Sequence, residues 1–168
     1  PLAPGQIVNG DFEKPLAKGG LGWHTASTDG ASLETDTTLS WVGEQSLTVR
    51  FDGTQNLNYH HLWQVIPVKS DTSYRITGRW RGQSITTRSG VYLEAYTQGP
   101  RAYARTRAQR TSWPWAELVL DIHTPPEATR LVLRLRRNRT DSLDNLISGT
   151  VWLDDLRMRE IKAGDANG

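Results

Sequence analysis

The sequence predicts an all-β fold, a sandwich or barrel built from short antiparallel strands. Runs of alternating apolar and polar residues recur along the chain, and turn residues interrupt them at fairly regular spacing. The apolar fraction of 36% suits a sandwich, because each strand commits only alternate residues to the core. No segment has the periodicity and caps of an amphipathic helix, although 101–112 could form a turn or two before Pro114.

Seven segments carry the alternation and are predicted to be strands. They are 46–51, 59–68, 73–82, 91–96, 115–122, 129–137 and 150–161. In a strand, successive side chains point to opposite faces of the sheet. Within 59–68 this rule places Tyr59, His61 and Trp63 on the outer side, opposite His60. Any recognition surface must therefore be built from such outward rows.

Length and composition indicate a single domain, predicted to span 1–162, with 163–168 (AGDANG) as a disordered tail. The absence of cysteine excludes disulfides and thiolate metal sites. No apolar run approaches the ~18–20 residues of a membrane span, so no membrane insertion is expected. The chain starts at Pro1, and we expect it to be part of a larger multidomain protein.

Arginine is concentrated in two parts of the chain. Sixteen of the twenty basic residues are arginine, and they cluster in 101–110 and 130–139 although the net charge is only +2. Guanidinium groups pair bidentately with carboxylate, sulfate or phosphate, so the clusters favour an anionic partner. A solvated strand face balanced by nearby Asp and Glu is the alternative. Nucleic-acid binding is not expected, because lysine is scarce and no nucleic-acid motif occurs.

The outward rows are rich in aromatic and charged side chains. Seven Trp and five Tyr accompany only two Phe, and the amphipathic rings of Trp and Tyr suit half-wet sugar sites, although several could simply fill the core. Stacked rings would contact the apolar faces of pyranoses, while charged groups bind hydroxyls or carboxylates. The predicted ligand-binding residues are Tyr59, His61, Trp63, Arg79, Arg81, Tyr92, Glu94, Tyr96, Arg134 and Arg136.

Signals for catalysis are weak, and the chain is expected not to be an enzyme. The four histidines show no metal-ligand spacing, and no nucleophile elbow or glycine-rich phosphate loop occurs. Asp154 and Asp155 are adjacent on a predicted strand, so their side chains diverge and cannot flank one bond. A jelly-roll polysaccharide lyase that uses Tyr, His and Arg remains an open alternative.

Four short motifs occur in an informative order. They are 8–13 (VNGDFE), 43–47 (GEQSL), 63–68 (WQVIPV, followed by Tyr74) and 151–156 (VWLDDL). Together they resemble the galactose-binding-like jelly-roll carbohydrate-binding modules appended to xylanases, over about 6–161. The resemblance implies a two-sheet antiparallel jelly-roll β-sandwich. The stretch 147–155 is similar to jelly-roll domains that follow helical repeats in bacterial envelope and exopolysaccharide proteins, which implies a periplasmic, cell-envelope or secreted location.

The same resemblance implies a structural calcium ion where the N-terminal segment meets the last strand. Glu13 and Asp154 would supply side-chain oxygens, and Asp11 and Glu44 would supply main-chain oxygens. Calcium takes about six to eight oxygen ligands from mixed carboxylate and carbonyl shells, so these residue types are suitable. The alternative is that Glu13 and Asp154 only accept hydrogen bonds from turn amides.

The function that the sequence favours is non-catalytic carbohydrate binding. The arginines depart from the mostly neutral sites of modules for xylan and cellulose, so the expected partner is an acidic or bacterial polysaccharide. The alternative is a protein-interaction or assembly domain of an exopolysaccharide or envelope system that does not bind sugar.

Overall fold

The structure is a computed structural model that describes residues 3–16, 22–99 and 101–162. The tail predicted to be disordered, 163–168, lies outside these residues. The described residues form ten strands: β1 (Trp23–Thr25), β2 (Ala31–Asp36), β3 (Ser46–Asp52), β4 (Leu62–Pro67), β5 (Ser73–Ile85), β6 (Val91–Thr97), β7 (Tyr103–Arg105), β8 (Thr111–His123), β9 (Arg130–Arg137) and β10 (Ser148–Glu160).

The strands form two five-stranded antiparallel sheets that pack face to face. The first sheet has the order β1-β4-β9-β6-β7 and the second has the order β2-β3-β10-β5-β8. The inward rows of both sheets interdigitate as one apolar core. This architecture confirms the predicted jelly-roll β-sandwich. Within the described ranges, no helix is long and apolar enough to cross a membrane.

The seven predicted strands correspond to β3–β6 and β8–β10, whereas β1, β2 and β7 were not predicted. Two of the three missed strands have only three residues each, too few to show a period. The expectation of a helical turn in 101–112 is wrong, because this segment holds β7 and the start of β8. Pro114 lies inside β8, which is an outermost strand, where a missing N–H need not cost a ladder bond.

The residues just before β4 depart from the predicted alternation. Tyr59 was predicted to face outward, but it is 2% exposed and packs edge-on against Phe51, with ring centroids 5.4 Å apart. His60 and His61 were predicted to point apart, but their rings stack at 4.1 Å. The reason is that Tyr59 forms only an isolated bridge with Arg137 and β4 begins at Leu62, so no continuous pleat orients these side chains.

A buried glutamine fastens the N-terminal segment to the first sheet. Gln64 lies in the inward row of β4, where its Oε1 accepts from the Val8 amide at 2.7 Å and its Nε2 donates to the Val8 carbonyl at 3.0 Å. Two residues further on, the Gly10 carbonyl accepts a hydrogen bond from the Leu156 amide of β10. The N-terminal segment thereby joins the two sheets.

Candidate functional site

The outer face of the first sheet aligns aromatic and charged side chains in two rows. Strand pairing places Trp63 of β4 beside Arg134 of β9, and Arg134 beside Glu94 of β6. The next row contains Val65, Val132, Tyr96 and Tyr103, each paired with its neighbour. Directly paired residues in antiparallel strands share one face of the sheet. These rows therefore form one continuous surface.

A groove of about 200 Å³ crosses this surface. We call it the ring groove; it is lined by His60, Trp63, Val65, Tyr96, Gln98, Val132 and Arg134. Trp63 and Tyr96 stand two strands apart, about 10 Å across the sheet. The paired side chains of Val65 and Val132 supply the apolar part between them. The groove thus combines two partly exposed rings, an apolar strip and polar groups.

Glu94 is buried beneath this surface and orients the groups around it. Its Oε2 lies 2.8 Å from Nε and 2.7 Å from Nη2 of Arg134, and its Oε1 accepts from the Tyr103 hydroxyl at 2.9 Å. Burial and the hydrogen bond to Glu94 raise the pKa of Tyr103 to about 12. Glu94 therefore serves to fix Arg134 and Tyr103, and the Nη1 of Arg134 forms no hydrogen bond with any described residue.

Two of the predicted ligand rings differ sharply in their accessibility. Tyr92 is buried, and the guanidinium of Arg105 lies 3.8 Å from its ring centroid. Trp63 is backed on one face by His24, with ring centroids 5.5 Å apart and planes 14° from parallel. A stacked neighbour limits the rotation of the indole and leaves one face free. Trp63 is therefore the better platform for a ligand ring.

Arg136 and His61 lie beside the ring groove but have other partners. The Nη1 of Arg136 donates to Asn58 and to the Tyr59 carbonyl, and its Nη2 donates to Asn138. Burial, helped by the nearby charges of His60 and Arg136, lowers the pKa of His61. These surroundings therefore favour the neutral form of His61, and Arg136 serves mainly to hold the loops at this edge.

Arg79 and Arg81 do not belong to the same surface. Both lie on β5 of the second sheet, where Arg79 sits 4.5 Å from the ring centroid of Trp41 and Arg81 sits 5.6 Å from that of Trp152. Alternation indicates whether a side chain faces inward or outward, but it does not indicate which sheet a strand joins. Of the ten predicted ligand residues, the structure brings Trp63, Tyr96 and Arg134 together in the ring groove.

Sequence reasoning missed four of the groove residues. His60 was assigned to the wrong face, and Gln98 follows β6, where no strand pattern applies. Val65 and Val132 had a usable signal, because both are apolar residues in rows that otherwise face solvent. Apolar side chains grouped on an outer face mark interaction surfaces.

Main-chain amides already donate hydrogen bonds to the carboxylates of three predicted calcium residues, Asp11, Glu13 and Asp154. Glu13 Oε1 accepts from the amides of Glu44 and Gln45, at 2.9 and 3.3 Å. Gly43 makes this approach possible, since a Cβ at its position would lie 2.0 Å from the same oxygen. Asp11 accepts from the amide of Glu13 at 3.2 Å.

Asp154 is engaged in the same way on the other side of that turn. Its Oδ2 accepts from the amides of Trp41 and Val42, at 2.8 and 3.0 Å, and its Oδ1 accepts from the amide of Asp155 at 2.8 Å. Burial raises the pKa of Asp154, while these three N–H donors lower it in part. The turn amides thus satisfy both Glu13 and Asp154.

Two of the four predicted calcium residues line a shared groove, and the other two do not. A polar groove of about 490 Å³ contains Asp11 and Glu13 together with Asp155, Lys14 and Arg157, but not Glu44 or Asp154. Across 3–16, 22–99 and 101–162, no group of three or more His, Asp or Glu is placed to hold a metal ion. Structural calcium therefore stays a prediction from the resemblance.

A melting experiment distinguishes the two readings of these carboxylates. We expect the same midpoint with excess chelator and with added calcium, because turn amides already occupy the oxygens of Glu13 and Asp154. A ligand that binds only the folded state raises the midpoint with its concentration. A midpoint several degrees higher in calcium would support the calcium prediction, and magnesium serves as the control for unspecific ionic effects.

Comparisons with known proteins identify the class of fold. No family model matches the chain, and no curated protein matches it. Solved structures do match, and they are mainly carbohydrate-binding modules. The CBM22-1 xylan-binding domain from Paenibacillus barcinonensis Xyn10C is 18% identical with a TM-score of 0.59, covering 96% of this chain and 97% of that one.

Two further structures show the breadth of the likeness. TmCBM61, solved in complex with β-1,4-galactotriose, is 13% identical with a TM-score of 0.57, covering 95% of this chain and all of that one. The enzymatically active domain of tailspike protein 4 from bacteriophage CBA120 is 12% identical with a TM-score of 0.62, covering 94% of this chain and 21% of that one. The chain therefore has the jelly-roll β-sandwich fold of carbohydrate-binding modules, a fold that also occurs within enzymes.

Proposed function

We propose that this chain is a carbohydrate-binding module and that it binds its saccharide in the ring groove. The observation that carries the proposal is the pair of partly exposed rings, Trp63 and Tyr96, with Arg134 between them on one face of the first sheet. Several solved structures with this fold are carbohydrate-binding modules. Clusters of rings and polar groups in a groove are typical of ligand sites.

The residues of the ring groove suit the two kinds of surface that a sugar presents. The free face of Trp63 and the ring of Tyr96 would contact the C–H faces of pyranose rings, and Val65 and Val132 would exclude water beneath them. The Nη1 of Arg134 and the side chain of Gln98 would bind hydroxyl groups. Binding and release require no covalent step. Among the described groove residues there is no pair of carboxylates to act on a glycosidic bond.

An acidic polysaccharide is the ligand class that the charges near the groove favour. Arg134 keeps one nitrogen free of Glu94, and Arg101 lies 5.8 Å from the ring centroid of Tyr96 and 5.9 Å from that of Tyr103. Arg101 is exposed and forms no ion pair with a described carboxylate. Guanidinium groups placed beside stacking rings would bind the carboxylates of uronic acids. We further propose that the module serves a larger envelope or secreted protein.

The test is binding to an array of acidic and neutral polysaccharides, followed by calorimetry on the best ligand. We expect Trp63→Ala to weaken binding about 5- to 150-fold, because one stacked ring contributes ~1–3 kcal/mol. The matched control is Trp41→Ala, which removes an exposed indole from the loop between β2 and β3, beside Arg79 of the second sheet. That control should bind like the unmodified protein.

Two outcomes would contradict the proposal. If no polysaccharide shows saturable binding, the protein-interaction alternative is favoured. Its candidate surface is the exposed Val119 of the second sheet and the exposed Trp41 of the loop between β2 and β3. If Trp41→Ala weakens binding as much as Trp63→Ala does, the site lies elsewhere. A preference for neutral over acidic ligands would leave carbohydrate binding intact and overturn the acidic specificity.

A further inference from the structure

A second and larger cavity lies at one end of the sandwich. It is formed where β5 ends and β8 begins, with Ile85 paired to Thr111, and where the loop after β9 passes. Its volume is about 770 Å³, and we call it the end pocket. It is lined by three segments of the chain, 84–88, 110–112 and 142–144. It shares no residue with the ring groove.

The backbone around the end pocket is held in an unfavourable conformation. Ser84, Thr87 and Thr111 have φ values of 55°, 74° and 63°. A positive φ is sterically costly for a β-branched residue such as threonine, so it persists only where neighbouring contacts enforce it. One such contact is the hydrogen bond from the Ser84 amide to the Ser112 hydroxyl at 2.9 Å. This hydrogen bond links the Ser84 and Ser112 parts of the pocket wall.

Two arginines in the end pocket lack partners within the described ranges. The guanidinium groups of Arg88 and Arg110 form no hydrogen bond or ion pair with any described residue. Asp144 is the one carboxylate among the lining residues. The pocket therefore carries an excess of positive charge, and its guanidinium donors are available to a ligand.

A third arginine is buried directly behind this wall. Arg137 is fully buried, and its Nη2 donates to Thr87 Oγ1 at 2.9 Å. Its other hydrogen bonds go to neutral acceptors, and none of the described carboxylates forms an ion pair with it. A charge in a low-dielectric interior acts over a longer range than one in water. Arg137 therefore adds to the positive potential that an anion in the pocket would experience.

We propose that the end pocket is a second saccharide site, which binds a sugar unit bearing an anionic group such as a uronate carboxylate. Arg88 and Arg110 would bind the anionic oxygens, and Ser112 and Asp144 would bind hydroxyls. The fully exposed Leu143 would cover the sugar ring. The choice of a saccharide as the ligand rests on the proposed function. The location of the site does not rest on it. A module with sites on a face and at an end can hold two segments of polymer at once, which raises avidity.

The experiment is an amide NMR titration of the full chain with trigalacturonate, with neutral galactotriose and with inorganic sulfate. Trigalacturonate should shift the amides of 84–88 and 110–112, and galactotriose should shift them at least about tenfold more weakly. The double variant R88Q/R110Q should lose these shifts and keep those around Trp63. A matched double variant, R50Q/R130Q, removes two exposed charges elsewhere and should behave like the unmodified chain.

Each remaining outcome decides a separate point. Shifts at the ring groove without shifts at the end pocket overturn the second site and leave the proposed function standing. Shifts at the end pocket that survive Trp63→Ala support the second site even if the ring groove fails. Sulfate that binds as tightly as trigalacturonate shows a general anion site and overturns the saccharide assignment, as does an equal loss in R50Q/R130Q.

Discussion

Replacing Arg137 by methionine is expected to lower the free energy of unfolding by about 3–5 kcal/mol. The guanidinium donates to the carbonyls of Ser89, Leu57 and Asn145, at 3.2, 3.0 and 3.2 Å. These acceptors belong to three separate loops, and they would stay partly buried without this donor. Removing the buried charge also removes the free-energy cost of desolvating it. This gain offsets only part of the stability that is lost with the hydrogen bonds.

The measurement is denaturant unfolding at equilibrium, with Arg130→Met as the matched control. Arg130 starts the same strand but is exposed, so its replacement should change stability by less than about 0.5 kcal/mol. Arg137→Lys should fall between the two, because an ammonium keeps the charge but cannot reproduce the five-bond fork. A stability of Arg137→Met within error of the unmodified chain would show that the loops do not depend on this residue.

Asp154→Asn is expected to cost about 2–4 kcal/mol, although it changes the side-chain shape very little. The carboxylate accepts from three amides, two at Oδ2 and one at Oδ1. An amide side chain has only one acceptor oxygen, so its NH₂ group must face at least one N–H donor. Either the turn containing Trp41 and Val42 or the amide of Asp155 would then lose its hydrogen bonds to this side chain.

Thermal or denaturant unfolding measures this effect, and Asp155→Asn is the matched control. Asp155 has a φ of 50° and pairs with the exposed Arg157 at 2.7 Å. Asparagine tolerates that conformation well and surface pairs contribute little, so the control should change stability by less than about 0.5 kcal/mol. The interpretation fails if the two variants are equally stable, because the three amide bonds distinguish Asp154 from its neighbour.

Most of the fold was predictable because the sandwich core imposes a period of two on each long strand. The inward leucines of β9 and the outward Arg130, Arg134 and Arg136 follow that rule. The same rule places Arg137 in the inward row. Its burial could therefore be predicted from the sequence, although a charged residue is not expected in a core. The three-residue strands β1 and β7 could not be predicted, since tertiary pairing and not local pattern creates them.

The candidate site was predictable only in part, for two physical reasons. Alternation describes a face of one strand, but the assignment of strands to sheets depends on long-range pairing, so Arg79 and Arg81 were grouped with residues of the other sheet. Burial also depends on neighbours in space: Arg105 covers Tyr92, and the core takes up Tyr59. The end pocket left no signal, because its loops lie between strands and their conformation depends on Arg137.

The edges of the two sheets bear on how the molecule behaves at high concentration. An outermost strand presents unpaired N–H and C=O groups, to which another chain can add a strand. In the first sheet these borders, β1 and β7, are only three residues long. In the second, β8 is thirteen residues long, but Pro114 removes a donor and Glu117 and Asp121 place charge along it. Strand addition at β1, β7 and β8 is therefore disfavoured.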